Sequence, residues 1–309
     1  MRGHTSTLIG RTPAQVVALT ATAVAMAAAL TGCGSAAASP GSAPSPGTGH
    51  KAPPLEVAVS VYPLAQLVSY IGGPDVRVVD LAPPGVQPEG LRLSTGQEAE
   101  MRSAGLVVAV GDGYQPQVEA ARKSDHHYLA VLPAVSGQAQ PYEFWLDPYL
   151  MAKAAAALAT ALTAADPAGR QQFQNGSNDF QSVAASIESD FESTFTQCED
   201  SYFVTADDAF GRMAASFDLV DVPVSTVGAA KAISTLSVRN LPAVFSEVGV
   251  PSGPVEEVAH RAGVKVESLD PLELAPAPGT AAETYFASME QDLTDMEGPL
   301  ACDTSNNFS

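Results

Sequence analysis

The run Leu106–Val110 (LVVAV) constrains the fold most. Five consecutive apolar residues leave neither face of a strand for water. Such a strand belongs in a sheet covered on both sides, the mark of α/β architecture. The neighbouring segments supply the alternation that such a sheet needs. Leu55–Val61 is Val-rich and alternating, a strand. Tyr62–Ile71 reads as a short amphipathic helix stopped by Gly72-Gly73. Val76–Leu81 is a second strand, ended by Pro83-Pro84-Gly85. Ser94–Ser103 is a helix whose start offers two capping boxes, Ser94 with Gln97 or Thr95 with Glu98. Beyond Asp147-Pro148 an Ala-rich helix runs to about Ala165. A second runs from about Ala168 to Thr196, with Phe173, Phe180, Val183, Ile187 and Phe191 at helical spacing. It has no strand partner and reads as a bridge. Strands are expected again at Ser201–Ala206, Val222–Val227, Ala243–Glu247 and Val264–Leu269. Helices are expected at Ala209–Phe217, Ala229–Leu236, Val255–Gly263 and Ala281–Glu297. The pattern is two α/β units around a helical spine, with a ligand site in the cleft between them, beyond the carboxyl ends of strands.

The chain opens differently. Arg2 and Arg11 precede the uncharged run Val16–Leu30, which has the length of a signal-peptide core rather than a membrane span. It leads into Leu30-Thr31-Gly32-Cys33, which resembles the lipobox of bacterial lipoproteins and implies cleavage before Cys33 and lipidation of its thiol. The alternative is an ordinary signal peptide with an incidental cysteine. Eighteen of the 21 residues in 34–54 are Gly, Ala, Ser or Pro, the composition of a flexible tether. The expected organisation is a signal peptide (1–32), lipidated Cys33 and tether (33–54), an N-terminal lobe (55–165), a linking helix (166–198) and a C-terminal lobe (199–309).

Charge excludes some partners. The 309 residues hold 15 Lys and Arg against 34 Asp and Glu, a net of −19, and removal of residues 1–32 leaves −21. No basic face is available for nucleic acid, nor for an anionic membrane surface. Membrane attachment is expected through the lipid alone. Cys198 and Cys302 remain in the mature chain, and an exported setting favours a disulfide between them over two buried thiols. No Ser-His-Asp, GxSxG or HExxH arrangement points to an enzyme. Paired carboxylates for glycoside hydrolysis lack the aromatic platforms, since aromatics are 6% of the chain.

Five segments carry a resemblance: Val57–Gly73 (VAVSVYPLAQLVSYIGG), Leu81–Leu93 (LAPPGVQPEGLRL), Phe144–Pro148 (FWLDP), Thr205–Gly211 (TADDAFG) and Leu269–Leu272 (LDPL). Taken together and in order, they resemble the metal-specific solute-binding lipoproteins of zinc and manganese ABC importers. The resemblance implies two lobes, each a mostly parallel sheet with helices on both faces, joined by one long rigid helix. It implies a metal cation as transported ligand, a membrane permease as partner, and a monomer. It also implies three histidines and one carboxylate in the cleft. The position after Pro88 is Glu89, the one two residues before Trp145 is Glu143, and the one before Asp208-Ala209-Phe210-Gly211 is Asp207. The late carboxylate matches Asp270. All three histidines are thus replaced by acids, which chance substitution at this composition gives with a probability on the order of 0.001.

Glu89, Glu143, Asp207 and Asp270 would form an all-oxygen site carrying up to −4. Such a site suits Mn²⁺, Ca²⁺ or a trivalent ion, and removes the advantage imidazole gives zinc. Glu247 is a further candidate oxygen or supporting partner, and Arg92 a candidate counter-charge or a plain surface residue. Asp208 reads as a helix-start residue. Phe144 and Trp145 read as core. His126-His127 falls in a polar connection with Asp125, and since adjacent histidines in a strand point to opposite faces, no joint site is expected of them. The alternatives are the same fold with a lapsed metal site, serving binding or adhesion, or a cleft that takes an organic cation.

Overall fold

A computed structural model describes residues 53–82, 85–89, 91–121, 127–137, 142–276 and 283–302. The signal peptide, Cys33, the tether as far as Ala52, Pro83-Pro84 and His126 lie outside the described residues.

The N-terminal lobe is built on a four-stranded sheet in the order β2-β1-β3-β4, every pairing parallel. Its strands are β1 (Leu55–Val59), β2 (Val76–Asp80), β3 (Leu106–Ala109) and β4 (His127–Ala130). Helix α1 (Tyr62–Gly72) connects β1 to β2. Helix α2 (Thr95–Ser103) leads to β3, and α3 (Pro116–Ala121) to β4. The β1 and β3 side chains alternate between two cores, as a two-residue period requires. Val57, Val59, Leu106 and Val108 join the larger one with α1. Ala58, Val107 and Ala109 face Met101 of α2 and Val118 of α3. The continuous apolar run is therefore buried on both faces. Ser94 caps α2: its Oγ accepts from Gln97 N at 3.3 Å, and Ser94 N donates to Gln97 Oε1 at 2.8 Å. Of the two possible boxes this one forms. The supposed polar connection around His127 is instead the edge strand β4, followed directly by α4 (Val131–Val135). Beyond His127 the strand is Tyr128-Leu129-Ala130, which pairs in parallel with the apolar β3.

Two antiparallel helices follow, α5 (Pro148–Ala165) and α6 (Arg170–Phe195). Asp147 caps α5, its Oδ1 accepting from Leu150 N at 3.1 Å. Helix α6 packs on α5 and α1 of the first lobe and on α11 (Tyr285–Glu297) of the second.

The C-terminal lobe holds two parallel strand pairs, β5 (Tyr202–Thr205) with β6 (Val220–Pro223), and β7 (Ala243–Glu247) with β8 (Lys265–Leu269). Strand β5 lies beside β7 without a ladder between them. Helix α7 (Gly211–Ser216) connects β5 to β6, and α10 (Gly253–Ala262) connects β7 to β8. The strand expected at Val222–Val227 ends early, and Val224–Val227 forms the short helix α8 before α9 (Ala229–Arg239). Ser225 N turns back to Ala206 O at 3.0 Å, and Gly228, at φ +79°, closes the turn. Strand propensity of the β-branched run yields there to tertiary bonding. Phe203 and Phe245 face the large shared core, whereas Val204 and Val244 face α9 and α10. Cys198 and Cys302 are joined by a disulfide, tying the end of α6 to the chain after α11.

One apolar cluster runs through both lobes, from Val57 and Leu106 through Trp145 to Phe210, Phe245 and Met289. Trp145 is wholly buried, and its Nε1 donates to Pro271 O at 2.8 Å, while its carbonyl accepts from Tyr285 OH at 2.7 Å. The lobes thus share a core beneath the cleft.

Candidate metal centre

Five chain segments converge on a pocket of about 310 Å³ between the lobes. The loop after β2 supplies Gln87 and Glu89, and the segment before α5 supplies Glu143. The turn after β5 supplies Asp207, Asp208 and Ala209. The segments after β7 and β8 supply Gly249, Val250, Pro251 and Glu273. Among the described residues the lining holds five carboxylates and no Lys, Arg or His.

Each carboxylate is placed by local structure. Glu89 is exposed, but Pro88 before it is buried, and the Pro88 carbonyl accepts from Gln115 Nε2 at 2.9 Å. The same nitrogen donates to Ser60 O at 2.9 Å, pinning the loop to the end of β1. Glu143 precedes the 3₁₀ turn Phe144–Leu146 and is nine-tenths buried. Burial, reinforced by Glu273, Asp208 and Glu89, pushes its carboxyl up to about 8. Asp207 N donates to Glu247 Oε1 at 2.7 Å, and Ala209 N donates to Asp207 Oδ1 at 3.3 Å. Glu273 lies within 3.5 Å of the Tyr114 hydroxyl. Burial, then repulsion from Asp207 and Glu89, raises it to about 7.

Three of the four expected ligands, Glu89, Glu143 and Asp207, therefore meet at one pocket. Asp270 is not among the lining residues. Its Oδ1 accepts from Leu272 N at 2.9 Å, and its own N–H donates to Asp292 Oδ1 at 2.8 Å. This turn directs the chain so that Glu273, three residues on, reaches the pocket instead. Sequence reading missed Glu273 because the motif that drew attention, LDPL, ends one residue before it. Asp208 was read as a helix-start residue, yet it lines the pocket, and α7 begins only at Gly211. Glu247 lies behind Asp207 and does not line the pocket. Its Oε2 is buried without a partner, and burial pushes the carboxyl up to about 10. Asp221, unnoticed in the sequence, stands behind Thr205, with Oδ1 2.6 Å from the threonine hydroxyl. Burial raises it to about 7. Arg92 is exposed and away from the pocket lining.

The donor chemistry suits a hard cation. Among the described residues all lining ionisable groups are carboxylates, and the two described histidines, His127 and His260, are exposed and elsewhere. Among the described residues no three His, Cys, Asp or Glu side chains approach closely enough to hold one ion in this arrangement. Burial first, and then repulsion among the pocket acids, holds the Glu143 and Glu273 carboxyls above the usual carboxylate range.

Comparison with known proteins agrees with this architecture. Residues 57–298 match the family model for ZnuA, zinc-uptake complex component A, periplasmic. The chain is 23% identical over 281 residues to the zinc-binding protein AdcA of Streptococcus pyogenes serotype M3, covering 77% of this chain but 55% of that relative. It thus spans about half the length of AdcA. It is 22% identical over 283 residues to the high-affinity zinc uptake system protein ZnuA of Bacillus subtilis, covering 81% of this chain and 89% of that one. The fold superposes with a TM-score of 0.73 on the laminin-binding protein Lmb of Streptococcus agalactiae, at 20% identity, over 80% of this chain and 99% of that one. With most of its length matched by one family model, the chain belongs to the ZnuA family of periplasmic zinc-uptake components.

Proposed function

We propose that this chain is an extracytoplasmic solute-binding protein, anchored by lipidated Cys33, that captures a hard cation between its lobes and delivers it to an ABC-importer permease. Mn²⁺, Ca²⁺ and trivalent ions such as Fe³⁺ are favoured over the zinc named for its relatives. The observation that carries this reading is the pocket itself, lined among the described residues by five carboxylates from both lobes and no imidazole. Glu89, Glu143, Asp207, Asp208 and Glu273 would contribute oxygens, with Asp270 holding the Glu273 segment and Glu247 holding the Asp207 turn. Water completes the coordination of a hard ion whose ligands are few or distant.

The spacing of the carboxylates favours a second reading, an organic polycation whose separate ammonium groups pair with separate acids. One experiment decides between them. Metal-stripped mature protein is melted with Zn²⁺, Mn²⁺, Ca²⁺, Fe³⁺, La³⁺ or spermidine, beside Asp207→Ala. A rise specific to hard metal ions and lost in the variant supports the proposal. A rise with spermidine alone selects the second reading, and no rise with any of them rejects both.

A further inference from the structure

The two segments that carry the pocket acids extend past it and meet again on the far side. In the first lobe, Glu143 stands at one end of the 3₁₀ turn Phe144–Leu146 and Asp147 at the other. In the second, Asp207 and Asp208 open the stretch that continues into α7, which carries Arg212 and Ser216. Between these ends the segments cross in dry contact, with Phe144, Trp145 and Leu146 in one buried cluster with Phe210 and Met213. Beyond the crossing lies a second interlobe cavity, lined among others by Ser136, Asp147, Arg212 and Ser216. There the Ser216 hydroxyl donates to Asp147 Oδ2 at 2.6 Å, and Arg212 Nη1 donates to Ser136 Oγ at 3.3 Å. Asp147 and Arg212 are 6% and 7% exposed, so each bond has one buried partner, while Ser136 is half-buried and Ser216 lies at the surface.

We infer that Ser216 and Arg212 are positioning residues that tie the lobes behind the pocket and thereby set the separation of Glu143 from Asp207 and Asp208. The inference rests on the reading of the pocket as a cation site. The geometry is that of tongs with an apolar pivot. The pivot resists sliding because a packed core is not continuously deformable, and the polar tie resists opening. Asp147 is suited to the task because its other oxygen already caps α5. The tie is thus anchored to a long helix rather than to a loop. Ser216 itself is exposed, so its substitution removes the bond with little loss of packing.

The test compares Ser216→Ala and Ser216→Thr with the unaltered mature protein. Hydrogen exchange is followed on cation-free protein for the amides of Leu146 and Asp147, bonded to Glu143 O and Phe144 O, and of Gly211, bonded to Asp208 O. Mn²⁺ and La³⁺ affinities are measured alongside. In Ser216→Ala both turns, though in different lobes, exchange severalfold faster while β1 amides do not change. Cation affinity falls about two- to tenfold, the scale of one hydrogen bond, and Ser216→Thr restores both. Unchanged exchange at Leu146 and Asp147 overturns the inference, as does an alanine variant of unaltered affinity. If the unaltered protein binds neither ion, the cation reading of the pocket fails, and the exchange rates alone decide whether the tie exists.

Discussion

Glu273 stands three residues beyond Asp270, yet of the two only Glu273 reaches the pocket. Asp270 is occupied with its own turn, where Leu272 adopts φ +61° and the Asp270 carboxylate accepts the Leu272 amide. The two acids should therefore separate by experiment. In Glu273→Gln, cation affinity should fall tenfold or more, the scale of one lost charged ligand. In Asp270→Asn, which can keep the turn bond through its amide oxygen, the fall should be smaller. Calorimetric titration with Mn²⁺ or La³⁺ checks both, and equal losses would show that Asp270 itself ligates. Glu143 bears a cost in the empty state. Its carboxyl is raised to about 8 against an unfolded value near 4.5. Above that range it must ionise inside the fold, so Glu143→Gln should stabilise the cation-free protein at pH 8.5 by on the order of 1–2 kcal/mol. At pH 5, where the native glutamic acid is protonated, the gain should vanish. Urea melts at the two pH values measure it.

Among the elements, α6 shows how a local rule is broken for packing. Gly176 sits inside this helix, where glycine costs about 1 kcal/mol relative to alanine. A Cβ there would stand 2.7 Å from Ile71 O and 2.8 Å from Ile71 Cα, both backbone atoms of α1. Gly176→Ala should therefore destabilise the protein by about 1–3 kcal/mol in urea melts, although it raises helix propensity. A stabilised variant would mean that α1 and α6 can part without loss. The elements legible in the sequence were those whose own pattern decides them, such as the apolar β3, the capped α2 and α6 with its phenylalanine stripe. Those misread are β4, short and opened by His127, whose place is set by the neighbouring β3, and α8, whose β-branched run argues for a strand until a tertiary turn closes it.

At the scale of the whole molecule, two features act on stability in opposite directions. The disulfide joins residues 104 apart, from the end of α6 to the segment after α11. In the chain-entropy view its loss costs up to about 4–5 kcal/mol, so Cys198→Ser/Cys302→Ser should lower the urea midpoint clearly. The carboxylates around the pocket act the other way. Glu143, Glu273, Glu247 and Asp221 all have folded values raised above their unfolded ones, to about 8, 7, 10 and 7. Raised acids bind more protons folded than unfolded, so the stability they contribute is full near pH 4 and is lost as pH rises through 7 to 10. Melting of cation-free protein should weaken from pH 5 to pH 8.5, and a bound hard cation should flatten that slope. A slope of the same size with and without cation would separate these acids from the ligand.

Sequence alone determined the strand–helix alternation, the helical spine and the acidic character of the cleft. These depend on periodicity, capping and residue type, which are local properties of the chain. It also located Glu89, Glu143 and Asp207 through the segments that flank them. Only the tertiary structure decided that Glu273 and Asp208 join them while Asp270 turns aside, that Glu247 and Asp221 stand behind the wall, and that one dry core and a polar tie connect the lobes. Those facts depend on where distant segments meet, and the energies that fix the meeting, burial and hydrogen bonding across the cleft, belong to no single stretch of sequence.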